Sequence, residues 1–413
     1  MTVQIIRGNA LDLPLADASV DLVVTSPPYF GLRSYSDGGE HYAGQLGSEA
    51  TPAEFVAALL AATREMVRVL KPSGSIFVNL GDKYAQDTER SRNGEGARRN
   101  SANVTASYLG QTVELGRRDN GVPRKSLIGI PWRYALACID DLGLILRAEI
   151  IWSKPNGLPE SVTDRVRRSH ETWFHFTREP RYYAAVDEVR EPQVDPRRSG
   201  WNGAPKLGRT DGVSRDRGWQ AGELAFNPLG KLPGSVWSVP TQPLTVPAHL
   251  GVDHFAAFPL EWPRRIVRGW SPSGVCTGCG EGRRPVTERT PMVVRPSARR
   301  AEAIASGNAS RTSTSGTMLA AAEARIVGES CACPDPSAPT RPSVVLDPFG
   351  GTGSTALVAD VLGRHGITVD MSADYCRLAT WRTSDPGERA RAMQVEKPPP
   401  VLVGQLDLFG DAS

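Results

Sequence analysis

The chain has 413 residues, more than one core usually organises, so a large domain with insertions or two domains are expected. A composition of 40% hydrophobic and 23% charged residues excludes a fully disordered chain, and no apolar run approaches the ~18 residues of a bilayer span. Lys and Arg number 48 against 45 Asp and Glu, so the net charge of +3 announces no nucleic-acid partner and any such signal must be local.

The opening MTVQIIRGNALDLP lacks a charged stretch followed by an apolar one, so export is not expected. Residues 3–6 read as a short strand. Residues 20–25 are a β-branched run that stops at Ser26-Pro27-Pro28, because Pro cannot continue a buried ladder. Over residues 54–70, Phe55, Leu59, Leu60, Met66, Val69 and Leu70 recur at helical spacing, with Thr51 as cap and Pro52 in the first turn. Residues 71–74 read as a turn and 75–80 as a strand. Strand, helix and strand in this order predict a parallel α/β sheet. Residues 85–122 are polar, hold Arg90, Arg92, Arg98 and Arg99, and read as a mobile loop. A helix is expected over 131–142 and a strand over 144–152. Residues 190–235 lack periodicity, and 280–330 carry the stretch SGNASRTSTSGT among short helical pieces. A compact unit follows: strand 343–346, a glycine turn, helix 355–362 and strand 366–369, with Asp370 after it. From about Gly387 the Pro-rich tail is expected to be loose.

Two turns carry chemistry. Asp347-Pro348-Phe349-Gly350-Gly351-Thr352-Gly353-Ser354-Thr355 follows a strand and opens a helix. Its glycines let a ligand approach the backbone, and the helix start offers unpaired N–H donors. The pattern is not the GxGxxG of dinucleotide sites, and Asp370 at the end of the next strand suits the hydroxyls of a ribose. A nucleoside without a pyrophosphate fits, although a plain strand-to-helix turn with a surface acid would read the same way. Ser26-Pro27-Pro28-Tyr29 also sits at the carboxyl end of a strand, where open α/β sheets bind ligands. Two prolines remove two donors and leave carbonyl acceptors, Ser26 adds a hydroxyl and Tyr29 a flat ring. That set suits the exocyclic amino group of a planar base; a tight loop after a strand is the plainer alternative.

Together the two turns resemble the AdoMet-dependent (S-adenosylmethionine) DNA methyltransferases that act on amino groups, in which a [DNS]-PP-[YFW] tetrapeptide is catalytic and an FxGxG turn binds the cofactor. With the catalytic motif first and the cofactor turn last, the order is similar to the beta group of that family. LKPSGSIFVNLGD (70–82), IIWSKPNGLPES (150–161), HETWFHFT (170–177) and HFAAFP (254–259) extend the likeness. The chain carries Gly8-Asn9 where the family often has Gly-Asp, and Asn can still accept from and donate to an adenine edge. It also has Gly353-Ser354-Thr355 where Gly-Thr-Thr is commoner.

The resemblance implies an α/β fold: a doubly wound, mostly parallel, Rossmann-like class I methyltransferase sheet in circularly permuted motif order, with a loop-rich recognition region and a Cys-rich insertion. With it the chain divides into a catalytic half of the core (1–84), a mobile loop (85–122), continuations of the core (123–183 and 241–273), a target-recognition region (184–240), an insertion (274–342) whose cysteines are read for zinc below, the AdoMet half of the core (343–386) and a tail (387–413). It assigns catalysis to Ser26, Pro27, Pro28 and Tyr29. Cofactor binding falls to Asn9, Asp347, Phe349, Gly350, Gly351, Gly353, Thr355 and Asp370. It implies double-stranded DNA as substrate, no membrane, the cytoplasm as location, and a cognate restriction endonuclease acting on the same site as a candidate partner.

An exocyclic amino nitrogen is a poor nucleophile, since its lone pair delocalises into the ring. Acceptors for both amino hydrogens favour a pyramidal nitrogen as charge develops, and positioning beside a sulfonium methyl supplies much of the rest. The base must leave the duplex stack, at a cost of a few kcal/mol. Methylation at cytosine C5 would need a Cys nucleophile, typically after Pro, and none of the six Cys follows a Pro. Ser at the first motif position leans to cytosine N4; adenine N6 is the alternative, and Asp there is commoner in adenine enzymes. An inactive DNA-binding module and a protein-glutamine methyltransferase are further alternatives, disfavoured by the intact motifs and by their order.

Six Cys are too few for a disulfide scaffold and suit a reducing compartment. Cys276-Thr-Gly-Cys279 and Cys331-Ala-Cys333 form two close pairs, and four thiolates suit tetrahedral Zn2+ in a structural or DNA-contacting rather than catalytic role, against the alternative of four unrelated thiols. Arg197, Arg198, Lys206, Arg209, Arg215, Arg217 and Lys231 make the recognition region basic, and its Gly and Trp fit DNA contact as well as a solvated loop. Residues 152–156 read as a wall of the base pocket or a plain strand end. His170-Glu171 reads as a satisfied core pair rather than a catalytic one, since this chemistry needs no strong base before methyl transfer.

Overall fold

The computed structural model describes residues 3–31, 36–37, 40–41, 45–85, 122–123, 125–192, 227, 229–252, 257–289, 293–296, 305–306, 318–321, 324–333, 335 and 337–397. Residues 86–121 of the expected loop, 193–226 of the expected recognition region, 254–256, most of 290–323 and the tail from 398 lie outside them. The chain divides into two compact units: Met1–Ala184, Ser235–Val275 and Thr340–Ser413 form the first, Ala185–Gly234 and Cys276–Pro339 the second.

The first unit is built on one eight-stranded sheet. In chain order its strands are β1 (Val3–Arg7), β2 (Val20–Thr25), β3 (Leu70–Leu80), β4 (Ile145–Ser153), β5 (His170–Thr177), β6 (Val236–Ser238), β7 (Val344–Asp347) and β8 (His365–Asp370). They lie in the order β1-β8-β7-β2-β3-β5-β4-β6. Every pair is parallel except β3 with β5 and β5 with β4, so β5 alone runs against the rest. All six residues of β2 are buried, as a β-branched run without polar alternation requires of a central parallel strand. The last two strands insert between the first two, which is the permuted order that the motif sequence implies.

Helices cover both faces. α1 (Pro52–Val69) starts on a capping box: Thr51 Oγ1 accepts from Glu54 N at 3.2 Å, and Glu54 Oε2 accepts from Thr51 N at 3.1 Å. β3 begins at Leu70, directly after α1, rather than at 75. Val20 pairs with Leu70 and Leu22 with Ser75, so the predicted turn 71–74 is an irregularity within the strand, where Pro72 has no N–H to pair. α2 (Ile130–Asp140) has Gly129 at its start, in the left-handed region at φ 81°, with no cap of its own. Asp82, just past β3, supplies one: its carboxylate accepts from Gly129 N at 3.0 Å and Ile130 N at 3.2 Å. Phe55, Leu59, Met66, Tyr134 and Ala135 pack with Val23, Val78, Phe174, Leu346 and Val369 on one face of the sheet.

On the other face α3 (Glu261–Trp270) brings Trp262 between Trp173 and Trp237, stacked at 4.9 Å on each. Trp237, from the stretch expected to contact DNA, is a buried core residue on β6. α4 (Ser354–Val361) follows the glycine turn, and α5 (Ala373–Ser384) and α6 (Pro386–Met393) close the unit. Residues 387–393, expected to open a loose tail, are instead helical. Asp385 caps α6 by accepting from Glu388 N at 2.8 Å, Ala390 and Ala392 are buried, and Arg264 donates to the Ala392 carbonyl at 2.7 Å. No helix among the described residues is long and apolar enough to cross a membrane.

The sheet carries a divide between β2 and β7. From β2 the chain winds through α1 to β3 on one side; from β7 it winds through α4 to β8 on the other. The connections leave the carboxyl ends in opposite directions, which opens a crevice there.

Candidate active site

Both motif turns leave the sheet at this divide. Leu22 and Val23 pair with Val345 and Leu346, so Thr25 and Asp347 reach the carboxyl edge together. Asp347 is 1% exposed and joins the two ends: Thr25 Oγ1 donates to Oδ1 at 2.6 Å, Thr355 Oγ1 to Oδ2 at 3.0 Å, and Phe349 N to Oδ1 at 3.2 Å. Thr355 also reaches the Val24 carbonyl at 3.1 Å. Burial pushes the Asp347 carboxyl up to about 6 despite these donors. Asp347 and Thr355, expected at the cofactor, thus spend their polar atoms fastening the glycine turn to β2.

A Cβ on Gly350 would overlap Thr368 Oγ1 and stand 2.8 Å from Thr368 Cβ, so only glycine lets the turn lie on β8. Gly351 takes φ +48°, and the nearest atom to where a Cβ would stand is the Phe349 carbonyl oxygen at 3.9 Å. Asp370, at the end of β8, turns its carboxylate under this backbone: Oδ2 accepts from Gly351 N at 2.8 Å and Oδ1 from Ser372 N at 2.9 Å. Phe349 is half-buried against the core. Behind the turn, buried Arg382 of α5 donates to Thr352 Oγ1 and Ser354 Oγ, both at 2.7 Å, while Glu388 accepts from its Nε at 2.9 Å. At the end of β1, exposed Asn9 accepts from Leu11 N at 3.0 Å, and the neighbouring Gly8 N donates to the Asp370 carbonyl at 2.9 Å. The ends of β1, β8 and β7 thus carry Asn9, Asp370 and the glycine turn in adjacent positions.

On the β2 side, Ser26, Pro28 and Tyr29 are half-buried and Pro27 is buried. The Tyr29 hydroxyl donates toward two acceptors, Asn79 Oδ1 at 2.7 Å and Glu171 Oε2 at 2.8 Å. Ser26 Oγ donates to the same Asn79 Oδ1 at 3.3 Å, and Asn79 Nδ2 is tied to the Thr172 carbonyl at 3.2 Å. Glu171 is held from its other oxygen by Lys154 Nζ at 2.5 Å, which lies 4.1 Å from the Trp152 ring centre. The Tyr29 ring lies flat along Gly81, where a Cβ would come within 2.6 Å of Tyr29 Cε2. Residues on three neighbouring strands, β3, β5 and β4, thereby anchor the hydroxyl end of one aromatic ring beside the divide.

Sequence reasoning passed over Asn79 and set Glu171 aside as a core residue. Glu171 is no satisfied core pair with His170, which is exposed; the antiparallel placement of β5 beside β3 sets it opposite Tyr29. Alternation along HETWFHFT, once β5 is known to lie beside β3, is the signal that could have found it. Asn156, expected near the base pocket, binds the chain at Thr241 through Nδ2 to the carbonyl (3.2 Å) and Oδ1 from the amide (2.8 Å). Arg165, Arg167 and Arg168 have internal partners: Glu160, the carbonyls of 157 and 158, and Asp82. Two other titratable groups are structural. Burial takes His175 down to about 3, and it bonds Ser75 Oγ at 3.0 Å. Burial pushes the Cys138 thiol up to about 12, which makes it no nucleophile.

In the second unit, the sulfurs of Cys276, Cys279 and Cys331 lie within 4.8 Å of one another. Cys333 lies outside this trio, with its sulfur 3.4 Å from where a Cβ on Gly278 would stand.

A family model described as DNA methylase (N6_N4_Mtase) matches residues 20–276 and 337–380, well over half of the chain. The chain is 39% identical over 188 residues to the type II methyltransferase M.SmaI of Serratia marcescens, which covers 44% of this chain and 59% of that protein. It is 40% identical over 202 residues to M.XycI of Xanthomonas campestris pv. cyanopsidis, covering 48% and 62%. It spans less than two thirds of the length of either relative. Among solved structures, a PvuII DNA methyltransferase described as cytosine-N4-specific superposes with a TM-score of 0.50 at 16% identity, over 95% of this chain and 91% of that one; this likeness concerns the fold.

Proposed function

The chain belongs to the N6/N4 family of DNA methylases, and from that premise we propose that it is a site-specific DNA methyltransferase moving a methyl group from AdoMet to the exocyclic N4 amino group of a cytosine flipped out of duplex DNA. One observation carries the reading: the 2.6 Å hydrogen bond from Thr25 to Asp347, which brings the Ser26–Tyr29 loop and the glycine turn to one divide in the sheet.

The residues around the turn fit the cofactor. Gly351 leaves bare backbone in the turn, Phe349 offers an apolar wall, and α4 starts without a side-chain cap on its first amides. Asp370, whose carboxylate accepts from Gly351 N and Ser372 N, stands at the end of β8 for the ribose hydroxyls, and Asn9 stands at the next strand end for the adenine edge. When bound, AdoMet supplies an electrophilic methyl on its sulfonium.

The remaining work falls to the Ser26–Tyr29 loop. Ser26 Oγ and the Pro27 carbonyl accept from the two amino hydrogens and favour the pyramidal nitrogen that develops as the methyl transfers. Tyr29 presents a flat surface for the extruded base, and Asn79 and Glu171 hold its hydroxyl end in place. The nitrogen releases one proton as it gains carbon, and no covalent adduct with the chain forms. Target recognition is proposed for residues 184–240. A DNA site shared with a restriction endonuclease is proposed from the type II relatives.

Cytosine N4 is favoured by Ser26 at the first motif position. The test is to incubate duplex DNA with the enzyme and methyl-labelled AdoMet, digest to nucleosides and separate them. Label in N4-methylcytosine is expected; label only in N6-methyladenine overturns the base, and none in any DNA overturns the activity.

A further inference from the structure

We propose that Cys276, Cys279, Cys331 and Cys333 hold one structural Zn2+ that organises the insertion between α3 and β7. The two pairs are 51 residues apart in sequence, yet the chain itself closes that distance. Strands 284–289 and 324–330 pair antiparallel, with Arg284 opposite Ser330. Residues just before 284 and just after 330 must therefore leave the same end of the ladder, and the two cysteine pairs are those residues.

The local geometry is that of a metal knuckle. Gly280 N donates to the Cys276 carbonyl at 2.9 Å and Cys276 N to the Glu281 carbonyl at 2.8 Å, which folds residues 276–281 into a tight turn. Inside it the backbone N–H groups of Cys279 and Gly278 point at the Cys276 sulfur. The second arm is fastened to the first: Ala332 N donates to Glu281 Oε2 at 3.3 Å, and Arg283 Nη2 to the Ala338 carbonyl at 2.6 Å. Sulfurs around tetrahedral zinc stand about 3.8 Å apart, given Zn–S bonds of about 2.3 Å. Three sulfurs mutually within 4.8 Å need only a slight contraction to reach that. Cys333 completes the set by side-chain rotation, since its sulfur and that of Cys276 both flank the bare face of Gly278, 3.4 and 3.7 Å from where a Cβ would stand.

A second, independent observation is the weakness of the core. Among the described residues of 276–339, the buried hydrophobic ones are Cys276 and Ala338, while Val286 and Val327 are 39% and 49% exposed. The described residues around the cysteines thus have little apolar burial of their own, and small modules in that position fold on disulfides or a metal. All six cysteines are free thiols, so no disulfide does it. Four protein thiolates leave no open position for water, which makes the ion structural.

The experiment is metal analysis of the full-length protein, purified under reducing conditions without chelator. About one zinc per chain is expected, released by a thiol-blocking mercurial, and Cys279→Ser and Cys331→Ser are expected to fall below roughly a fifth of that while Cys138→Ser keeps it. If the Ser variants do not fold, cobalt substitution of the wild-type protein decides: intense visible bands with a thiolate charge-transfer band support the site, and a weak octahedral spectrum overturns it. Wild-type protein that stays nearly free of zinc after zinc is added back overturns the proposal. So does full zinc in both Ser variants, or a mass showing two of these cysteines joined as a disulfide.

Discussion

Asp347 carries a prediction with a definite sign. Its carboxyl is buried at the junction of β2 and β7, and burial, aided by nearby Asp370, raises it from an ordinary 3.8 to about 6. The folded chain therefore holds a proton on Asp347 between those two values that the unfolded chain has lost. Stability from this group is fully present below pH 3.8 and is lost as pH rises through 6. The full difference is about 3 kcal/mol, of which about 2 kcal/mol falls between pH 4.5 and 7.5. Asp347→Asn removes the charge and keeps the network. Asn Oδ1 accepts from Thr25 and Phe349 N, while Nδ2 donates to Thr355, whose own proton is free to go to the Val24 carbonyl at 3.1 Å. Urea unfolding of both proteins without cofactor, across pH 4.5 to 7.5, should show Asn gaining on Asp by about 2 kcal/mol toward high pH. The other carboxylates cancel in the difference. Parallel stability curves would refute the reasoning, since they would mean that Thr25, Thr355 and the Phe349 amide compensate fully for burying the ionised form.

Tyr29→Ala should leave AdoMet affinity unchanged in calorimetry but lower single-turnover methyl transfer roughly 5- to 150-fold, the equivalent of about 1–3 kcal/mol of base stacking. Gly81→Ala should act in the same direction by displacing the ring. Gly350→Ala should abolish AdoMet binding measured by calorimetry, because the added carbon cannot coexist with Thr368. Asp82→Ala should cost about 1–2 kcal/mol in denaturant unfolding by uncapping α2, with Asp82→Asn recovering part of it.

Much of this molecule is written in stretches of a few residues. The apolar run before Ser26-Pro27-Pro28-Tyr29, the capping box of α1, and the glycine turn between two short strands each depend on neighbours in the chain. They were legible because backbone conformation responds to such neighbours. The order of the two turns along the chain already implied a permuted sheet. What the sequence could not show is which distant groups those turns meet. Thr25 and Asp347 are 322 positions apart, and Tyr29 and Glu171 are 142 apart. Glu171 faces Tyr29 because β5 runs antiparallel beside β3, a placement that a strand of eight residues does not announce. Trp237 read as a surface aromatic until three residues of β6 joined the sheet edge, and the cysteine pairs looked remote until the 284–330 ladder joined them. Short-range pattern determines which segments become strands, helices and turns. Strand order and register are decided by the burial of the whole sheet, and they alone choose the partners of Asn79, Glu171 and Arg382.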